Sequence, residues 1–282
     1  HVHLTCPGRF HPDLTWQRPR RDSRVPDVKA LISLFAALVL LALPRPAAAQ
    51  GQDALQAYST GNYDKALAAA AAAGNADSDA FSARVLLAKA LSSEQGLSSD
   101  LLSKALAEAN AALSLEPDHV EARMQKAIAL SLMARLMDNA EARKSGFGGE
   151  ARDLAEGVLT ADPENAYAHA FLAVWHVEVL RRGGTLGAMV MGASLRDARR
   201  HYEAASASAP DDASIHWQWA RALAALDAKK YRPEIEAALA AARAAHTDDA
   251  LEAVMQARAA ELAGLLARDG PKAAEVHALE ML

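Results

Sequence analysis

From about residue 53 onward, apolar positions recur at helical spacing. Ala83, Leu87, Ala88 and Leu91 mark one stripe; Ala168, Leu172, Ala173 and His176 mark a second; Ile215, Trp219, Ala220 and Leu223 mark a third. Steps of three and four residues put such positions on one face of an α-helix. The breaks between stripes share a form. Segments 112–122, 158–168 and 205–215 align, each a helix end, a proline, an acidic or amide turn and a new helix start. Pro117, Pro163 and Pro210 are therefore 46 and 47 residues apart, and a weaker copy at 242–252 has Thr247 in place of proline. Proline stops the preceding helix because it lacks an N–H and clashes with the turn before it. Asp or Asn then stands where an N-cap accepts the first free N–H groups. The pattern predicts an all-α chain made of repeated helical hairpins.

Small residues sit at one place in each second helix. Ala105, Ala109 and Ala112 precede Pro117; Ala198, Tyr202 and Ala205 precede Pro210; Gly61, Tyr63, Ala66 and Ala70 match the turn and first half of such a helix nearer the start. In these positions the chain resembles the tetratricopeptide repeat family over roughly residues 53–266. The resemblance implies an α-solenoid of four or five tetratricopeptide-like hairpins, stacked so that each buries a face on its neighbours. The departure is the period, since the family's unit is about 34 residues. The extra residues fall between the two helices of a hairpin, at 138–149 and 181–194, and are expected as extended intra-hairpin loops. Lys126 also stands where the family prefers an apolar residue.

The resemblance further implies a concave groove lined by the first helix of each hairpin. In that register the groove residues are Val85, Lys89, Met124, Ile128, Tyr167, Val174, Glu178, Trp217 and Arg221. A peptide or partner helix would lie there. Trp219 falls in the apolar stripe and is expected to be core. Trp217, two residues earlier, is on another face and is expected to be an exposed anchor, with Arg221 one turn on.

The first fifty residues differ in character. Lys29, the apolar run 30–43 and then Ala47-Ala48-Ala49 read as the parts of a secretory signal peptide, with cleavage expected after Ala49. The apolar run is 14 residues, short of the ~20 that span a bilayer. Residues 28–49 fit a signal peptide, 1–27 read as a doubtful or disordered leader, and 50–282 as the repeat domain. The expected compartment is the periplasm, with no membrane contact expected after cleavage.

Composition narrows the chemistry. Hydrophobic residues make up 51% and aromatics only 5%, the surplus being mostly alanine, the strongest helix former. Cys6 is the one cysteine, so residues 50–282 can hold no disulfide or thiolate. They carry 23 Lys and Arg against 32 Asp and Glu, a net charge of −9. That argues against a nucleic acid partner, which needs a basic face, and none is expected. No phosphate loop, zinc-protease motif or nucleophile elbow is present. No cofactor and no metal are expected. His169, His176 and Glu178 on one predicted helix keep a metal-assisted enzyme open as an alternative, as does a structural protein anchored through the helix at 30–43. The apolar Leu186, Met189, Val190 and Met191, near Arg181, Arg182, Arg196, Arg199 and Arg200, form a second possible contact surface. The leading expectation is a scaffold that binds a protein or peptide.

Overall fold

The computed structural model describes residues 47–281, with side chains from residue 51. The signal peptide and leader expected before residue 47 lie outside the described residues. Thirteen α-helices and no strands are found among the described residues. They form six hairpins. The first pairs α1 (Ala47–Ser59) with α2 (Tyr63–Ala70), and the second α3 (Ala76–Leu91) with α4 (Ser99–Leu115). The third pairs α5 (Val120–Leu136) with α7 (Phe147–Ala161), with the short α6 (Asn139–Ser145) between them. α8 (Ala166–Met191) pairs with α9 (Leu195–Ser208), α10 (Ala213–Asp227) with α11 (Arg232–Ala244), and α12 (Ala250–Arg268) with α13 (Pro271–Glu280).

The turns work much as the prolines predict. Asn165 Oδ1 accepts from the Ala168 N–H, and Asp212 Oδ1 from those of Ser214 and Ile215. After Pro117 the cap is His119 rather than Asp118, its Nδ1 accepting from the Ala122 N–H at 3.2 Å. A second device repeats with the prolines. Six residues after each one, a side chain folds back and donates to its carbonyl: Arg123 Nε to Pro117 O at 3.1 Å, His169 Nε2 to Pro163 O at 3.0 Å, His216 Nε2 to Pro210 O at 2.9 Å. The three prolines are exposed, and in each turn the following helix supplies a donor to the proline carbonyl.

The small positions are where helices meet. Ala105, Ala109 and Ala112 on α4, Ala151 and Ala155 on α7, and Ala198 and Ala205 on α9 have no accessible surface. They let each outer helix lie close on its inner partner. The insertions fall between paired helices, as the spacing predicts, but are themselves largely helical. The first forms α6. The second extends α8, which bends at Gly184, where φ 59° and ψ −162° suit only glycine. Past that bend Leu186, Met189 and Val190 stand exposed in a stripe.

Two features depart from a simple stack. α13 turns back onto α10, so α10 packs against α8, α11, α12 and α13. α12 also reaches the start of the described chain and touches α1. There a Cβ on Gly61 would come within 3.0 Å of the Ala250 Cβ, and Leu251 packs on the cluster of Tyr63, Val85 and Ala88. The largest core cluster centres on α10 and draws in Leu91 of α3, Leu251 of α12 and Ala274, Ala278 and Met281 of the C-terminal end. The inner face of the solenoid is thereby closed over.

Candidate functional site

The nine expected groove residues fall on four inner helices. Val85 and Lys89 stand one turn apart on α3, Met124 and Ile128 on α5, Trp217 and Arg221 on α10; Tyr167, Val174 and Glu178 share α8. The structure brings them to the inner side but does not leave them open. Val85, Trp217 and Arg221 have no accessible surface, and Met124 is 4% exposed. Val85 packs between the first hairpin and Leu251; Met124 packs on Val158 of its own hairpin and Leu172 of the following one. Ile128 and Val174 are half-buried against the second and fifth hairpins. Lys89 pairs with Asp64 at 2.6 Å. Tyr167 alone among the nine is well exposed, at 58%.

The expectation of Trp217 as an exposed anchor is therefore overturned. Trp217 and Trp219 do point to different faces of α10, as their two-residue offset requires. Trp219 stacks on Tyr202 of α9, ring centroids 4.7 Å apart and 12° from parallel, and is core as expected. The other face is core too, because α12 and α13 close over α10. An amphipathic reading presupposes a wet face, and α10 has none.

At the centre of the inner layer is an ionic cluster that periodicity could not foresee. Glu178 Oε2 accepts from Arg181 Nε at 2.9 Å and Nη2 at 2.7 Å. Its Oε1 accepts from Arg221 Nη2 at 3.2 Å and is 3.9 Å from Arg135 Nη1. Burial pushes Glu178 up, but Arg221, Arg135 and Arg181 outweigh it and hold the carboxyl at about 2. Burial and the neighbouring Arg221 bring Arg135 down to about 9 against the pull of Glu178. Three consecutive inner helices, α5, α8 and α10, are tied at this point. The signal available in sequence was only that Glu178 and Arg181 are three apart and Glu178 and Arg221 are both on inner faces.

The histidines considered for metal chemistry form a separate group. His169 Nδ1 and His201 Nδ1 are 2.8 Å apart, and since His169 Nε2–H donates to Pro163 O, the neutral pair has His201 donating. His176 stacks on His201 at 5.8 Å and its Nδ1 accepts from the Ser194 N–H. Burial, helped by His169 and His176, holds His201 down to about 4. Burial also lowers His176. Glu178 is turned away to the arginines. Among the described residues no group of three or more His, Asp or Glu side chains is arranged to hold a metal ion. Among them, too, no helix is long and apolar enough to cross a membrane.

Tyr167 stands exposed in the first turn of α8. Its hydroxyl faces Asp212 at the start of α10, with Glu252 of α12 and Arg84 of α3 in electrostatic reach. Tyr58 and Phe81 pack edge to face at 5.8 Å nearby on α1 and α3, with the Arg84 guanidinium 5.8 Å from the Phe81 ring.

No family model matches the sequence, and no curated protein does either. Among solved structures, the chain is similar to a thermophilic TPR protein of Thermus thermophilus, with a TM-score of 0.54 and 19% identity over 77% of this chain and 100% of that one. The fold is tetratricopeptide-like: an all-α solenoid of helical hairpins.

Proposed function

We propose that this protein is a non-enzymatic scaffold that binds a protein or peptide partner in the cell envelope. The observation that carries the reading is the rim around Tyr167. An exposed aromatic stands there within electrostatic reach of Arg84 and Tyr58, and the Arg84 guanidinium in turn lies over the Phe81 ring. Aromatic and arginine side chains supply most hot-spot energy at protein interfaces. The fold likeness supports a scaffold in general. The envelope location rests on the signal-peptide pattern of residues 28–49, whose cleavage after Ala49 would leave α1 from Gln50 onward. On this reading Tyr167 contacts the partner, Lys89 borders the approach, and Val85, Met124, Trp217 and Arg221 hold the rim in shape from behind.

The test is a photo-crosslinking amino acid at position 167 in cells, with position 115 as an exposed control. A partner captured from 167, and lost or weakened at least tenfold in a Tyr167→Ala binding assay, supports the reading. Unchanged affinity in Tyr167→Ala overturns the rim.

A second contact surface has its own observation. Leu186, Met189 and Val190 are 68–74% exposed on the last turns of α8. Apolar, methionine-bearing surfaces adapt to varied partners. Capture from position 189 instead of 167 would favour it.

A further inference from the structure

The ionic cluster at the centre of the inner layer is not balanced. One carboxylate, Glu178, meets three guanidinium groups, Arg135, Arg181 and Arg221. The adjacent Arg182 is satisfied elsewhere, donating to Ala134 O, Met137 O and Asn139 Oδ1. Arg221 has no accessible surface at all. Its Nη2 bonds Glu178 and its Nε bonds Gln218, but its Nη1 is buried with no hydrogen-bond partner. One turn earlier on the same helix face, the Trp217 Nε1 is also buried without a partner.

Two unpaired buried donors beside a surplus of positive charge are a costly arrangement. A buried ion demands a counter-charge as well as hydrogen bonds. An internal water satisfies donors but leaves the charge. An acceptor that carries negative charge satisfies both. We propose that a small inorganic anion of halide size binds in the inner layer, held by Arg221 Nη1 and Trp217 Nε1 and balanced by Arg135. The side chains of Arg135 and Arg181 keep 15% and 25% of their surface accessible, which provides a route of entry. The lack of any exposure at Arg221 and Trp217 limits the occupant to a few ångströms. Bound there, the anion bridges α5 and α10 and tightens the curvature of the inner layer.

The experiment uses the purified chain at constant ionic strength, with sodium gluconate replaced stepwise by sodium chloride. Wild type should show a saturable rise in melting temperature, roughly 5–10 °C at a hundredfold excess over the dissociation constant. Arg135→Gln should lose that rise, and Lys144→Gln, at an exposed site on α6, should keep it. No saturable rise in wild type, or an equal rise in Arg135→Gln, overturns the proposal. If Arg135→Gln fails to fold, wild-type crystals grown in sodium bromide decide the matter. An anomalous peak beside Arg221 Nη1 supports the site, and none there overturns it.

Discussion

α9 and α10 are neighbours in sequence and opposites in surroundings. α9 is an outer helix: Ala198 and Ala205 are fully buried on one face, while Arg196, Arg200 and Glu203 stand in water. α10 is an inner helix whose buried residues run round its whole circumference, from Ile215 and Trp219 to Trp217 and Arg221. A helix with one wet side writes its orientation into its sequence. A helix enclosed on all sides does not, and a charged residue such as Arg221 then marks an interior ion pair instead of a surface.

The contrast is most directly broken at Trp217. Trp217→Ala should cost about 3–5 kcal/mol, as much as Trp219→Ala, in urea denaturation. Tyr167→Ala, which removes an exposed ring and its hydrogen bond to Asp212, should cost about 1–2 kcal/mol. A Trp217→Ala midpoint equal to that of Tyr167→Ala would mean that α10 has a free face after all.

Next in size is Glu178→Gln, which leaves three guanidinium groups facing a neutral amide. Removing one partner of a buried ion pair costs about 3–5 kcal/mol. The same carboxylate sets an acid response. Its folded value of about 2 is below the ordinary 4.5, so its contribution is complete above pH 4.5 and is lost as pH falls toward 2. With 1.36 kcal/mol per unit, that amounts to about 3 kcal/mol. Denaturation midpoints measured between pH 5 and pH 2 should fall less in Glu178→Gln than in wild type.

Smaller effects sharpen the outer side. Tyr202 donates from its hydroxyl to His216 Nδ1 at 2.8 Å while its ring stacks on Trp219. Tyr202→Phe keeps the stack and loses the bond, for about 1 kcal/mol; a melt unchanged within error would discount the bond. At the turns, Arg123, His169 and His216 perform the same closure of a proline carbonyl. His169→Arg should therefore be the mildest change, within about 0.5 kcal/mol, whereas His169→Ala leaves the carbonyl open. Equal losses in the two variants would show that the imidazole matters for its contact with His201 and not for the turn.

Much of the architecture is legible in the chain's own pattern. The proline spacing, the alanines at 105, 112, 198 and 205 and the caps at Asn165 and Asp212 are local devices, and each has the same cause in sequence as in space. The hairpins at either end are harder to see, since α1–α2 has no aligned proline break and α12 follows Thr247 rather than a proline. The candidate site is legible only in part. The register puts Val85, Met124, Trp217 and Arg221 on helices α3, α5 and α10, but the structure buries all four instead of leaving them in an open groove. Met124 is covered by the neighbouring α7 and α8, but the enclosure of Val85 and Trp217 draws on α12 and α13, and those contacts join residues far apart in the chain. Nothing in the pattern of one helix reports what a remote hairpin will cover. Arg221 carries a hint, since its charge within an alanine-rich helix requires a partner, but the partner on α8 is 43 residues away.

The meeting of Gly61 with Ala250 has a consequence for how the molecule comes apart. A linear repeat array is held by nearest-neighbour interfaces, so its terminal units fray and its unfolding spreads over several steps. Joining the two ends converts that open row into a loop of mutually dependent units. No hairpin is then terminal in the mechanical sense, and loosening any one of them relaxes the contacts of the rest. Such a chain is expected to melt in one concerted transition and to fold more slowly than its helix content suggests, because the closing contact spans nearly two hundred residues and forms only once the row between is built.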